Sequence, residues 1–246
     1  MLLASAPDQL VVVLTLGLAV ALGAAVQSAV GFGLAVVAAP FVVLAEPALM
    51  PGSLLVCGFV LPLWELVRHE RDVDRRILTS AYGMRLLLTP VGAALVVWSG
   101  PREIALVVGV MILLVVGVSI TALSVRATVP NALAAGAVTG IAGTAASIGG
   151  PFLAMVLQHE RPERVRSTLA AFFVLGSTTS LAALAIAGEL SVGQVGAGLV
   201  WVPFLALGVW LGRPLRRLVS RERMRHGVLT FCTIASVVVI IRAVLG

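Results

Sequence analysis

The sequence predicts an all-α polytopic membrane protein, and three observations carry that prediction. Of the 246 residues, 60% are hydrophobic and only 11% are charged, whereas about a quarter are charged in an ordinary soluble domain. Apolar runs of roughly 20 residues recur along the chain, the length a helix needs to cross a hydrocarbon core of ~30 Å. The sequence also lacks the alternating segments of ~10 residues that an outer-membrane barrel would show.

Ten apolar segments follow one another along the chain, and each is predicted to be helical. They lie at residues 9–30, 32–45, 48–67, 77–98, 103–124, 132–146, 151–158, 167–187, 193–212 and 227–245. Some are too short to cross a bilayer alone, so about eight spans are expected, or roughly 7 to 10 by different ways of counting. Residues 1–246 are expected to form a single transmembrane domain.

An internal repeat is predicted to relate the two halves of the chain. The stretch SAVGFGLAVVAAPFVVLAEP (28–47) aligns with TAASIGGPFLAMVLQHERPE (144–163). The order of glycine break, hairpin and three long segments then recurs, which predicts repeats at 8–124 and 131–245. Each repeat would be a glycine-broken helical hairpin, re-entrant or spanning, followed by three transmembrane helices. Chance similarity between apolar stretches is the alternative.

The arginine-rich connections indicate how the halves are oriented. The stretches 68–76, 158–167 and 213–225 are rich in arginine, and the positive-inside rule places them in the cytoplasm. Segment 48–67 then runs from outside to inside, whereas its counterpart 167–187 runs from inside to outside. The halves are therefore predicted to have inverted topology, an arrangement of transporters in which interrupted helices hold substrate near the midplane.

The formal net charge of +6 fits the same placement. A basic balance can mark a nucleic-acid partner, but these arginines cluster in short connections between apolar runs, as membrane topology requires. We therefore expect a multi-pass protein of the bacterial inner membrane. Its expected partners are the lipid bilayer and a small anion, without nucleic acid, and the sequence leaves a homodimer open.

The two glycine breaks are the predicted substrate site. A helix that restarts inside the membrane presents unpaired N–H groups and the positive end of its dipole, which suits an anion. Pro151 is well placed to restart the helix in the second half. The break residues assigned to the site are Gln27, Ser28, Gly31 and Gly33 in the first half and Thr144, Ser147, Gly149 and Gly150 in the second. The alternative is close helix packing through small residues.

Arg85 is the single residue that most strongly indicates a function. It lies within segment 77–98, where an arginine costs at least ~2.5 kcal/mol on insertion scales and normally faces a cavity or a partner. Its planar guanidinium would suit bidentate binding of an oxyanion. The alternatives are snorkelling towards the cytoplasmic headgroups and pairing with Glu65.

Other chemistry is sparse in the sequence. Glu65, His69 and His159 are candidates for proton coupling, with a merely interfacial position as the alternative. The sequence contains no metal-spaced cluster of His and Cys, no GxSxG and no nucleotide-binding P-loop. We therefore expect no enzymatic activity, no cofactor and no metal site.

The two breaks, GFGLAVVAAP (31–40) and SIGGPFLAMV (147–156), resemble those of the TauE/SafE family of sulfite exporters. That family carries a GxGG-like break in each half, often followed by a proline several residues on. This sequence departs from the pattern at Leu34, Ala35, Ser147 and Val156. The resemblance implies transport of sulfite, thiosulfate or organosulfonates.

The expected function is secondary export of a small anion, most plausibly sulfite or an organosulfonate, by alternating access. A negative cell interior would favour such export by ~2.3 kcal/mol per charge per 100 mV, so no ATP is needed. Two other classes stay open at this point: a permease for a cation or another metabolite, and a non-transporting membrane subunit that binds a partner through 213–225.

Overall fold

Long helices dominate the computed structural model, which describes residues 7–30, 33–68, 72–120, 125–218 and 221–245. In chain order the helices are α1 (Pro7–Val30), α2 (Leu34–Ala45), α3 (Gly52–Arg68), α4 (Arg75–Trp98), α5 (Pro101–Ile120), α6 (Val129–Ala145), α7 (Gly150–Val156), α8 (Pro162–Ile186), α9 (Val192–Val200), α10 (Val202–Leu218) and α11 (Arg221–Leu245). A one-turn 3-10 helix, Pro47–Leu49, lies between α2 and α3.

Within these residues, six stretches are long and apolar enough to cross a membrane. They are Val11–Ser28, Arg75–Trp98, Pro101–Ile120, Pro162–Ile186, Val192–Gly212 and Gly227–Leu245. The helices α3 and α6 have 17 residues each, or roughly 25 Å at 1.5 Å per residue. The all-α polytopic fold is therefore confirmed, and the number of spans broadly fits the prediction. With 12 and 7 residues, α2 and α7 are too short to cross alone.

The arginine-rich stretch 213–225 was predicted as a connection between apolar segments, but most of its backbone is helical. The helix α10 continues to Leu218, and α11 begins at Arg221. Arginine is a good helix former, so its charge ends the apolar segment without ending the helix. The stretch 158–167 is likewise helical from Pro162 onwards.

The segment 193–212 was predicted as one helix, but the structure divides it at Trp201. Pro203 follows the break, and its ring removes an N–H from the helical ladder. The indole of Trp201 is fully buried and donates a hydrogen bond to the carbonyl of Val13 at 2.8 Å. This tryptophan therefore ties the helix break to α1 and takes no part in an interfacial belt.

The helices α4 and α6 cross closely because glycines lie at their contact. A Cβ on Gly92 would lie 2.7 Å from the carbonyl oxygen of Ile141, and a Cβ on Gly140 would lie 2.7 Å from that of Arg85. Gly136 contacts the carbonyl of Ala81 in the same way. The paired residue numbers rise together, so α4 and α6 run in the same direction. Close approach through small residues is typical of membrane bundles.

The helices α1 and α10 repeat this arrangement. Gly17 contacts the ring of Phe204, and Gly208 and Gly212 contact the backbone of α1 around Ala21 and Ala25. Here too the numbers rise together, so these two helices are parallel. Each pair therefore joins the broken hairpin of one half to a long helix of the other half.

The two hairpins enter the bundle from opposite sides. The contacts of Gly52 with Gln194 and of Gly198 with Val56 make α3 and α9 parallel, and the short connection 69–74 makes α3 and α4 antiparallel. It follows that α1, which runs with α10, is antiparallel to α6, which runs with α4. This arrangement supports inverted repeats at 8–124 and 131–245, which remain a proposal.

We expect Gly92→Ala to destabilise the protein, because its methyl group would meet the carbonyl of Ile141 and overpacking costs about 1–3 kcal/mol. Gly83→Ala on the same helix is the matched control, since nothing lies within 4 Å of its Cβ position and alanine favours a helix. Thermal unfolding in detergent measures both. Equal unfolding temperatures for the two variants would contradict the close crossing.

Candidate functional site

A cavity of about 40 Å³ lies where the two helix breaks meet, and we call it the central cavity. Six of the predicted substrate residues line it: Gln27, Gly33, Arg85, Ser147, Gly149 and Gly150. The helices α3 and α8 complete its wall with side chains that include Leu54, Phe173 and Ser177. Residues far apart in sequence, from both halves of the chain, are thus brought to one place.

Gly33 and Gly149 hold matching positions, as the alignment of the two breaks predicts. Each is the N-cap residue of a short helix, Gly33 of α2 and Gly149 of α7. Gly33 has a φ of 129°, a conformation that requires glycine. Gly149 has an ordinary negative φ, and its importance is space, since a Cβ there would lie 3.1 Å from the methyl group of Thr139.

Gln27 caps the second helix of the first hairpin. Its Oε1 accepts a hydrogen bond from the N–H of Leu34 at 3.2 Å, which satisfies one of the unpaired donors at the start of α2. Ala35 and Val36 follow in the same turn and also line the central cavity. The donors that remain to Gln27 are those of its amide nitrogen.

Ser147 holds the second break in place. It has a φ of 61°, a left-handed conformation that costs a non-glycine residue roughly 1–2 kcal/mol. Its hydroxyl donates a hydrogen bond to the carbonyl oxygen of Pro51 at 2.9 Å. Because its single proton is used in this bond, Ser147 ties the break to the start of α3 and is not a donor to a substrate in this conformation.

Arg85 is buried, with only 2% of its surface exposed. Its guanidinium carbon lies 4.9 Å from the centre of the Phe172 ring, and Nη2 donates a long hydrogen bond of 3.5 Å to the hydroxyl of Ser180. Its Nε is buried without a partner. Neither alternative from the sequence is seen: Arg85 does not snorkel, and among the described residues it forms no ion pair with Glu65 or any other carboxylate.

Two glycines make the space that the guanidinium occupies. A Cβ on Gly143 of α6 would lie 3.2 Å from Nη2 of Arg85, and Gly176 of α8 lies so close that a Cβ would overlap the guanidinium itself. Alanine at position 176 would therefore displace the charge. The slot for Arg85 is built by three helices, and the sequence prediction missed both glycines.

Hydroxyl groups surround the guanidinium on the side of α8. Thr144 and Ser180 form a hydrogen bond of 2.8 Å, so Thr144 is linked to Arg85 through Ser180. Thr144 itself does not line the central cavity. In the stretch STTS, Ser177 and Ser180 lie three residues apart and face inwards, whereas Thr178 and Thr179 bond to their own helix. This spacing is the signal that could have identified the two serines.

The remaining predicted site residues lie elsewhere. Ser28 bonds to the carbonyl of Ala25 and faces Gly212 of α10, so it serves the α1–α10 contact and not the cavity. Glu65 and His159 do not line the central cavity. Gly31 and His69 lie outside the described residues. Within the described part of the chain, no group of three or more His, Cys, Asp or Glu residues could hold a metal ion.

A second, larger space of about 370 Å³, which we call the vestibule, lies on the other side of α2. Gly33 and Val36 line both spaces, so the first turn of α2 separates them. The side chains of Gln158, Glu160 and Arg166 also line the vestibule. They belong to the stretch 158–167, which the positive-inside rule places in the cytoplasm.

The lining of the central cavity carries positive charge. Among the described residues it contains one cationic side chain, Arg85, and no carboxylate. An ionised group buried without a counterion carries a desolvation penalty of several kcal/mol, which an anion in the cavity would offset. The hydroxyl of Ser177 and the start of α2 are further potential hydrogen-bond donors around it.

A family model described as Sulfite exporter TauE/SafE matches residues 16–239, nearly the whole chain. The matched range includes both helix breaks, Arg85 and every residue that lines the central cavity. No curated protein and no solved structure matches the chain.

We expect Ser147→Ala to unfold at a lower temperature than Ser147→Gly. Both variants lose the bond to Pro51, which is worth about 0.5–1.5 kcal/mol, but only alanine keeps the cost of the left-handed backbone. The free energy of unfolding of Ser147→Gly should therefore stay close to that of the unmodified protein, and that of Ser147→Ala should be about 1 kcal/mol lower. An alanine variant as stable as the glycine variant would contradict this role.

Proposed function

Because the chain belongs to the TauE/SafE family of sulfite exporters, we propose that it exports sulfite or a related sulfur oxyanion across the bacterial inner membrane. The chain is a multi-pass membrane transporter of the sulfite-exporter type. The particular anion, the site residues and the alternating-access mechanism are parts of the proposal.

The observation that carries the proposal is the buried, unpaired Arg85. A membrane protein that keeps an arginine 2% exposed, with its Nε unpartnered, maintains a costly group. A purely structural arginine would be expected to bond backbone carbonyls or a carboxylate. The guanidinium instead lies on an aromatic ring beside a cavity, where its planar donors can meet an oxyanion.

The donor set proposed for the anion comes from three side chains and one helix start. Arg85 offers Nε and its terminal nitrogens, Ser177 offers a hydroxyl, and Gln27 offers its amide nitrogen. The start of α2 adds its positive end and the N–H groups of its first turn. With only seven residues, α7 carries little dipole of its own, and its glycines serve mainly to let the backbone approach.

The size of the central cavity favours a compact anion. Its volume of about 40 Å³ corresponds to roughly three water molecules at ~10–15 Å³ each. An oxyanion of one sulfur and three oxygens is closer to that size than an organosulfonate with its carbon chain. Sulfite is therefore the first candidate, and organosulfonates require the cavity to widen.

The vestibule supports alternating access, the mechanism we propose. A large space lies between the stretch 158–167, which we assign to the cytoplasm by the positive-inside rule, and the first turn of α2, and the central cavity lies immediately beyond Gly33 and Val36. This conformation would be open towards the cytoplasm. Movement of the first hairpin against the helices that enclose it would close this path and open the other.

The rival classes have less support. A cation permease would place Glu65 or His159 at the cavity, but neither lines it. A non-transporting subunit that binds a partner through 213–225 would have no use for a buried unpaired cation between α4, α6 and α8. Flux measured against a panel of sulfur anions, other anions and cations separates the first rival from the proposal.

We expect Arg85→Gln to reduce sulfite flux in proteoliposomes at least tenfold, because hydrogen bonds to a charged group are worth about 1.5–3 kcal/mol. Arg85→Lys should restore only part of the flux, since an ammonium lacks the planar donor geometry. The stability of Arg85→Gln should equal or exceed that of the unmodified protein, because an uncompensated buried charge is removed.

Arg102→Gln is the matched control for this experiment. Arg102 is exposed and donates a hydrogen bond to the carbonyl of Val244 at 3.0 Å, far from the cavity lining. Its replacement should leave sulfite flux within about twofold, since surface contacts of this kind are worth little. Unchanged flux in Arg85→Gln, or equal losses in both variants, would remove Arg85 from the site.

A thiol at Ser119 should react with a membrane-impermeant reagent from the cytoplasmic side. Ser119 lines the vestibule, so Ser119→Cys in a Cys57→Ser, Cys232→Ser background should be labelled in inside-out vesicles and protected in right-side-out vesicles. Val192→Cys, exposed at the start of α9, should show the opposite pattern. Labelling of both thiols from the same side would overturn the proposed orientation.

A further inference from the structure

A groove between α3 and α10 opens on the surface that faces the membrane. The helix α9 packs tightly on α3, where a Cβ on Gly198 would lie 2.6 Å from Cβ of Val56. After the break at Trp201, α10 diverges from α3 and makes few contacts with it. The space that opens between them has a volume of about 180 Å³.

The side chains that line this α3–α10 groove are all hydrophobic or aromatic. They are Val60, Leu61, Trp64, Val202, Leu205, Ala206, Val209 and Trp210. The groove is more than ten times the ~10–15 Å³ that one water needs, but its surface is mostly apolar and offers water few polar partners. Its occupant in a membrane is therefore an apolar chain, and the lipid acyl chain is the one that the bilayer supplies.

The end of the groove at Arg68 is aromatic and cationic. Trp64 and Trp210 are 51% and 64% exposed, as tryptophans at the headgroup level of a membrane are. The guanidinium carbon of Arg68 lies 3.8 Å from the centre of the Trp64 ring, which holds its charge one turn beyond the groove. The sequence at the end of α10, GRPLRRL, contains three more arginines.

We propose that the α3–α10 groove binds an anionic phospholipid, with one acyl chain between the two tryptophans and the headgroup phosphate at Arg68. Charge complementarity selects this occupant. A second copy of the chain docked on this face would bring identical arginine-rich ends together, whereas an anionic headgroup neutralises them. A neutral phospholipid fills the groove equally well but adds no net negative charge beside Arg68.

Brominated phospholipids test this site through the native tryptophans. The full chain with Trp98→Phe is reconstituted in phosphatidylcholine vesicles that contain increasing fractions of phosphatidylglycerol with brominated acyl chains. Trp64 and Trp210 report the groove, and the buried Trp201 supplies a constant background. Half-maximal quenching should need about fivefold less brominated phosphatidylglycerol than brominated phosphatidylcholine, the ratio for ~1 kcal/mol per arginine near the surface.

Arg68→Gln should bring the ratio of the two lipid fractions at half-maximal quenching close to one, and Arg102→Gln should leave that ratio unchanged. If Arg68→Gln does not fold, added salt serves the same purpose in the starting protein, because screening weakens the headgroup contact but not the burial of the acyl chain. The double variant Trp64→Phe, Trp210→Phe, which keeps Trp98, should be quenched in proportion to bromine content with no headgroup preference.

Equal quenching by the two lipids in the starting protein would overturn the proposal. Absence of quenching together with a cross-linked dimer would assign the groove to a second copy and would overturn it as well. The readout does not depend on anion flux, so this result and the test of Arg85 succeed or fail separately.

Discussion

The buried charge of Arg85 is the constraint around which the bundle is arranged. A guanidinium at this depth must be given space, an aromatic face and hydrogen-bond partners, and these come from two neighbouring helices, α6 and α8. Gly143 on α6 and Gly176 on α8 leave the space, Phe172 supplies the face, and Ser180 accepts the long hydrogen bond. These contacts require α4 to lie close to both α6 and α8. The glycines at the α4–α6 crossing allow this approach, so helix packing and the chemistry of the site depend on the same small residues.

The first turn of α2 lies between the central cavity and the vestibule. Gly33 and Val36 line both the central cavity and the vestibule, and Gln27 of α1 caps the same turn. A shift of this turn would alter the central cavity and the vestibule together. Ser147 acts differently at the other break, since its bond to Pro51 attaches that break to α3. The break before α2 thus lies between the central cavity and the vestibule, whereas the break before α7 is held to the start of α3 by a hydrogen bond.

The proposed repeats have diverged where they face α3 and α8. The helix α4 is continuous and carries Arg85 against α8, whereas its counterpart is divided into α9 and α10 at Trp201. That division turns α10 away from α3 and opens a groove on the surface of the bundle. One proposed repeat therefore contributes the buried charge beside the central cavity, and the other contributes the α3–α10 groove. The difference arises at Trp201, which bonds to the carbonyl of Val13 across the bundle, and at Pro203, which lacks an N–H.

The sequence by itself determined the helices and the residues at the breaks, because membrane helices are specified by the length of apolar runs and interruptions by glycine and proline. It also identified Arg85, since an intramembrane charge stands out in any apolar segment. Only the tertiary structure decided which residues surround Arg85 and line the central cavity. Gly143 and Gly176 look like any other small residues in a membrane helix, and Ser28 looks as suitable as Ser177. The side that each faces depends on helix rotation and crossing, which are set by packing between residues distant in sequence. The divergence of α10 from α3 likewise follows from contacts across the bundle, which no local pattern encodes.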